Sequence, residues 1–139
     1  MSYSIEELFE ESLDDLLLPP PSFSIMECEV IAFDKDKATL TTKIPTLQNW
    51  LNPFSTMQGG MIVAAIDNAV GPLSLLIAPK NMTRNIESKL IKAITPDMNY
   101  IYVTANLRER KKRRLIFDVL VKDKDSTLLA TAKITNWII

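Results

Sequence analysis

Asp67 is the only charged residue in a nearly apolar run over residues 61–78. A helix that is apolar all round is normally the buried centre of a domain. A carboxylate in such a helix is costly unless it is paired, hydrogen-bonded or protonated. Acids kept in such places are candidates for work on a substrate: Asp67 could hold and deprotonate a water, or attack a carbonyl directly. The competing reading is a structural hydrogen-bond acceptor. Gln58-Gly59-Gly60 opens the same run. The first N–H groups of a helix lack intrahelical partners and carry the positive end of its dipole. Glycine lets a ligand approach that backbone closely, so Gly59 and Gly60 suit an oxyanion hole for a carbonyl oxygen gaining charge. Alone, a Gly-Gly pair is also ordinary punctuation at a helix start.

Gly59 and Asp67 are separated by about 12 Å of helix rise. Within one subunit they cannot serve the same atom. In a symmetric dimer, one helix start can face the middle of its twin, and the two groups can then converge. The chain contains no histidine. That excludes Ser-His-Asp and Cys-His chemistry and nearly every zinc site, so no metal site is expected. Acid–base work falls to carboxylates, Lys, Tyr or bound water.

The elements that must position these groups follow from the pattern of the chain. Ile5, Leu8, Phe9, Leu13, Leu16 and Leu17 recur at helical spacing among acidic residues. Ser4 is an N-cap, with Glu7 completing a capping box. The spacing predicts an N-terminal amphipathic helix over residues 1–18, its acidic face solvated or, alternatively, docking a partner. A stiff Pro connector at 19–21 ends it. Residues 23–33 and 38–44 read as strands around a polar turn at 34–37. Residues 45–57 read as loop with a helical turn near 47–51. The central helix is expected over 59–78, with a kink or new turn at Pro72. Strands are expected over 84–94, 100–108, 115–122 and 128–137. Tyr100, Tyr102, Thr104 and Asn106 fall on one face of the second of these, with Ile101, Val103, Ala105 and Leu107 on the other. Helices early and strands late, without βαβ alternation, give an α+β class. The expectation is an antiparallel sheet of about six strands curled around one long central helix, with an extra N-terminal helix, all in a single domain over residues 1–139. Six strands cannot close around so bulky a rod, so a partner subunit is expected to cover the rest.

The chain has 139 residues, 47% of them hydrophobic, and a formal net charge of −1. That supports one folded core and calls for neither nucleic acid nor a membrane surface as partner. The single Cys28 excludes an internal disulfide framework and fits a cytoplasmic location; in a strand without basic neighbours it reads as inert. The acidic N-terminus does not read as a signal peptide. The long apolar run, interrupted by Asp67, Asn68 and Pro72, reads as a core helix and not a membrane span.

At Asn52…Gln58-Gly59-Gly60…Asp67-Asn68 the chain resembles the hotdog-fold acyl-CoA thioesterases of the phenylacetate-degradation type. Their pattern is Asn, then His-Gly-Gly, then Asp or Glu on the central helix, and the spacings match without a gap. Ile94-Thr95-Pro96 is similar to the family's aromatic-x-Pro, and the likeness runs from about residue 22 to the end. The resemblance implies hydrolysis of an acyl-CoA or aroyl-CoA thioester at an interface between protomers. Asp67 would be the general base or nucleophile, the Gly59 N–H the oxyanion donor, and Asn52 a group polarising the thioester carbonyl. Coenzyme A would enter only as part of the substrate, without a further cofactor, and the assembly would be a homodimer or homotetramer. Gly60 and Asn68 flank these groups, while Met57 and Phe54 are candidates for lining or capping an acyl pocket.

Two positions depart from the family. Gln58 replaces the histidine; it can donate and accept hydrogen bonds but cannot shuttle a proton near neutral pH. Many members also carry Ser or Thr on the strand after the helix to orient the water. The aligned position is Ile86, with Thr83 or Ser88 as the substitutes if the register differs. These departures leave two alternatives: a non-catalytic acyl-CoA or fatty-acid binder, and dehydration of a hydroxyacyl thioester, against which the lack of histidine counts. The basic run at 108–114 reads as a solvated turn, with a clamp for coenzyme A phosphates as the alternative.

Overall fold

The structure, a computed structural model, describes residues 2–9 and 16–139. Two short helices come first, α1 (Ile5–Leu8) and α2 (Pro21–Ile25). Ser4 caps α1 as expected, accepting from the Glu7 N–H at 3.4 Å, but its hydroxyl donates to Glu6 and not to Glu7. The rest of the amphipathic helix expected over 1–18, with most of its acidic face, falls largely on residues 10–15, outside the described residues. The Pro connector is corrected. Pro21 is the first residue of α2, where its fixed φ suits a helix start and its missing N–H costs nothing. Phe23, expected in a strand, lies in α2 and is buried against the core.

The first strand therefore begins later, as β1 (Glu29–Asp34), and turns back into β2 (Thr39–Pro45). The Asp34 carboxylate accepts from the Lys37 N–H at 3.0 Å, which closes the expected turn. A 3-10 turn at Gln48–Trp50 leads to the central helix, α3 (Gly59–Ile77). It runs unbroken through Pro72, with Ser74 Oγ donating to the Gly71 carbonyl at 2.8 Å. Four strands follow: β3 (Asn81–Leu90), β4 (Tyr100–Lys111), β5 (Arg114–Lys122) and β6 (Leu128–Ile138).

All six form one antiparallel sheet in the order β1-β2-β4-β5-β6-β3. The alternation on β4 is as expected, with Ile101, Val103 and Ala105 fully buried. They meet Ile66, Ala69, Val70 and Leu73 of α3 in a continuous core shared with Phe117, Val121 and Ile134. By length and hydropathy α3 could cross a bilayer, but here it packs on β2, β3, β4 and β5 as the core helix.

A buried polar link fixes the end of α3 to the sheet. The Asn81 amide donates to the carbonyls of Ser74 and Pro79, at 3.2 and 2.8 Å. Its carbonyl accepts from the Asn136 amide at 2.8 Å. The start of β3 is thus anchored to both α3 and β6.

The other end of β3 is open. Residues directly opposite in an antiparallel pair share a face. Ile86 pairs with the buried Ile134, Ser88 with Ala132, and Leu90 with the buried Ala130, so all three point to the helix side of the sheet. Ser88 and Leu90 are nevertheless exposed, although the start of α3 at Gly59 comes close to the Leu90 side chain.

Candidate functional site

Asp67 lies on the flank of α3 and is half-buried, not enclosed as its apolar surroundings in sequence imply. The buried residues Ile66, Ala69 and Val70 take the core side, and Asp67 with Asn68 faces the crossing to β3 and α2. Thr83 Oγ1 donates to Asp67 Oδ1 at 3.0 Å. No described residue donates to Oδ2, so one oxygen is held and the other is open.

The register expectation on β3 is corrected by this contact. Thr83, not Ile86, is the hydroxyl residue beside the acid. A β-bulge between Thr83 and Asn85 inserts Arg84 without a partner. The extra residue shifts the alternation by one, so Thr83 and Ile86 both face the helix although they are three apart. Ile86 packs on the core edge instead.

Asp67 and Thr83 open on a cavity of about 220 Å³ whose apolar walls include Ile5, Phe9, Phe23 and Leu75. All but Leu75 come from the N-terminal segment: Ile5 and Phe9 from the stretch expected to form a separate amphipathic helix, and Phe23 from the stretch expected to form the first strand. Their apolar spacing was visible; their destination was not. Asn68 lines the same cavity and ties that segment down. Its amide donates to the Ser22 carbonyl and to Met26 Sδ, and its carbonyl accepts from Ser22 Oγ at 3.2 Å.

The second half of the candidate site is the start of α3. Gln58 is the N-cap residue but its side chain does not cap, and it is exposed. Its backbone is fixed by donation to the Trp50 carbonyl at 2.7 Å. The Gly59 and Gly60 N–H groups have no acceptor among the described residues. Neither glycine has a positive φ, so backbone conformation does not require them. A Cβ on Gly59 would stand 3.2 Å from Leu90 Cδ1, and one on Gly60 would meet nothing within 4 Å. There is thus free room beside Gly60, whereas Gly59 packs close to Leu90 of β3.

Asn52 braces the loop before α3. Its Oδ1 accepts from the N–H groups of Phe54 and Thr56, and its Nδ2 donates to Thr56 Oγ1 at 2.8 Å. One Nδ2 hydrogen is left for another acceptor. Phe54 projects from this loop and is 84% exposed, whereas Met57 is buried in the core with its N–H on the Ile94 carbonyl. Asp67 and Gly59 are not brought together within one chain, as the helix rise requires. Among the described residues, no group of three or more Cys, Asp or Glu side chains could hold a metal ion.

No family model matches this chain, and no curated protein matches it. Solved structures match it over nearly their whole length. A phenylacetic acid degradation-related protein of Ralstonia eutropha is 20% identical, with 98% of this chain and 100% of that one covered and a TM-score of 0.82. The chain has the hotdog fold. A Haemophilus influenzae thioesterase shares this hotdog architecture at 15% identity, with 100% and 92% covered and a TM-score of 0.80. A Streptococcus mutans protein, smu.793, solved with acetyl CoA bound, aligns at 15% identity over 91% and 95%, with a TM-score of 0.76. The six-stranded antiparallel sheet and the central helix of this chain are thus those of the hotdog fold.

Proposed function

We propose that this protein hydrolyses an acyl-CoA thioester, with Asp67 as general base. The observation that carries the reading is a half-buried carboxylate with one oxygen held by Thr83, the other open, and a cavity beside it. The structural likeness to thioesterases, and to a protein bound to acetyl CoA, supports the same chemistry.

In this scheme Asp67 takes a proton from a water positioned by Thr83. The hydroxide adds to the thioester carbonyl carbon, and the charge on oxygen is met by the N–H of Gly59 of the partner subunit. In the same scheme the remaining Asn52 Nδ2 hydrogen polarises that carbonyl. Collapse of the tetrahedral intermediate breaks the carbon–sulfur bond, and the proton on Asp67 passes to the departing thiolate. The products are a carboxylic acid and free coenzyme A. Gln58 has no proton to move in this sequence, so the missing histidine does not interrupt it. No metal or redox group enters any step.

The scheme needs two protomers. Support comes from the unpaired edge of β3, from Ser88 and Leu90 facing inward yet exposed, and from the Gly59 and Gly60 amides, which have no acceptor among the described residues. A homodimer, alone or doubled into a tetramer, covers all three.

The test is hydrolysis of a panel of acyl- and aroyl-CoAs by the wild-type protein and by Asp67→Asn. General-base catalysis is worth about 10²–10⁴ in rate, and a loss of that size in kcat is expected. Hydrolysis that survives Asp67→Asn overturns the mechanism. Tight binding without turnover by the wild type establishes the non-catalytic binder instead.

A further inference from the structure

We infer that Phe9 and Gly71 set the size of the acyl group taken beside Asp67, and that they fit the cavity to a chain of medium length; this rests on the acyl-CoA reading above. Asp67, Gly71 and Leu75 all line that cavity. Residues four apart stand one above the other on a helix. The lining stripe therefore runs about 12 Å along the α3 axis. It begins at the polar Asp67, with Thr83 and Asn68 beside it, and passes to Gly71, Pro72 and Leu75. A ligand with its polar end at the acid and an apolar tail laid along the helix matches that gradient.

The N-terminal segment supplies the facing wall through Ile5, Phe9 and Leu18. This wall is fixed. Ile5 and Phe9 are buried members of the core. Upstream, the Tyr3 N–H donates to the Val30 carbonyl at 2.7 Å. Downstream, Ser22 is bonded to Asn68. Phe9 is the largest lining side chain between these two ties, so its truncation opens the cavity most.

Gly71 gives the stripe its depth. Its φ is not positive, and glycine inside a helix is unfavourable. Pro72 accounts for part of the choice, because a proline crowds a Cβ on the residue before it. It does not account for the room in front of Gly71, where a Cβ would meet nothing within 4 Å. That room is part of the cavity. Its volume sets the scale of the ligand. An apolar cavity of about 150 Å³ takes one benzene ring. On that scale a volume of about 220 Å³ takes roughly six to nine carbons.

The probes are S-alkyl coenzyme A thioethers, which cannot be hydrolysed, with butyl, hexyl, octyl, decyl and dodecyl chains. They are titrated into the full-length protein by calorimetry. While the tail is being buried, each added CH₂ is worth about fourfold in affinity. The wild-type affinity should therefore climb from butyl to octyl and then level off. Phe9→Ala should carry the climb on to dodecyl, with the decyl thioether bound at least tenfold more tightly than by the wild type. Gly71→Leu is made together with Pro72→Ala, which relieves the crowding, and is compared with Pro72→Ala alone. It should end the climb at hexyl or earlier and weaken the octyl thioether at least tenfold. In kinetics, kcat/KM on the matching acyl-CoAs should shift in the same two directions. Circular dichroism checks the fold and sedimentation the assembly; if Phe9→Ala does not fold, the Gly71 comparison decides alone.

Wild-type binding that is independent of chain length overturns the proposal. So do variants whose length profile is unchanged or lowered equally at every length. A change of assembly in Gly71→Leu/Pro72→Ala against Pro72→Ala gives the space in front of Gly71 to a second protomer, and overturns it too. The titrations do not depend on turnover. Length-selective binding that shifts as expected, without hydrolysis by the wild type, refutes the thioesterase reading and leaves the size limit standing. Hydrolysis with one length profile in every variant does the reverse.

Discussion

Thr83 holds one oxygen of Asp67 at 3.0 Å, and this fixes where the other can point. In the proposed mechanism a base must be oriented as well as ionised, so Thr83 would act on the rate through Asp67. Thr83→Val should lower kcat about tenfold, while leaving stability within about 1 kcal/mol, since a single partly exposed hydrogen bond contributes little net. Thr83→Ser should restore most of the rate, an outcome that a purely steric role for the methyl group does not give. Gly60 offers a sharper separation of fold from function. Its backbone is compatible with alanine and nothing stands within 4 Å of a Cβ. Gly60→Ala should stabilise the chain by about 0.4–1 kcal/mol by restricting the unfolded state. A rise in Tm together with a fall in kcat/KM means that the space beside this amide is reserved for a ligand or a second protomer. Cys28 sits at the opposite extreme of reactivity. Burial pushes its thiol up to about 12, so the nucleophilic thiolate is scarce at neutral pH. Iodoacetamide at pH 8 should leave the native protein unlabelled and modify it fully in denaturant.

The site is assembled by two elements that meet at one end and separate at the other. At the end of α3, Asn81 bonds the Ser74 and Pro79 carbonyls and Asn136, two residues before Thr83. This buried link sets the height of β3 against the helix. Asn81→Ala takes the partner from the Pro79 carbonyl and the Asn136 amide, while the Ser74 carbonyl keeps the Ala78 N–H, and should cost about 2–3 kcal/mol, measured as a lower urea midpoint with an unchanged m value. The bulge at Arg84 then turns the strand so that Thr83 and Ile86 share the helix side. Beyond it, Ser88 and Leu90 run past the start of α3, and Gly59 approaches Leu90 closely. The same two elements thus hold the acid at one end and present unpaired amides at the other.

Across the whole molecule, Asp67 and Gly59 are separated by more than two helical turns, and a second protomer must join them if they act together. That demand can be tested by complementation. Gly59 is the first residue of α3, where proline is accepted, and the extended backbone of Gln58 already suits a following proline. Gly59→Pro therefore deletes the proposed oxyanion donor with the helix kept. Alone, Gly59→Pro and Asp67→Asn should each be nearly inactive. Unfolded, mixed in equal amounts and refolded, they should recover about one quarter of wild-type activity. Half of the dimers are then mixed, and each mixed dimer has one intact site of two. No recovery places acid and donor in one chain and ends the two-protomer mechanism.

The sequence by itself determined what is local or periodic. The central helix follows from one long apolar run with Gly59-Gly60 at its start, β4 from strict alternation, and the 34–37 turn from its polar cluster; all appear where they were expected, with β4 running three residues further. Asp67 and the helix-start amides were likewise legible, because an acid in an apolar run and a Gly-Gly pair are local signals. Pairing over long separation decided the rest. The partner of Asp67 lies sixteen residues away across a bulge, and a bulge has no signature in a single chain, so Thr83 and Ile86 exchanged places. Phe23 reads as extended until Pro21 is seen as a helix start and not a stop. The cavity beside Asp67 exists only because Ile5 and Phe9 fold back over α3, a contact that no spacing within their own segment encodes.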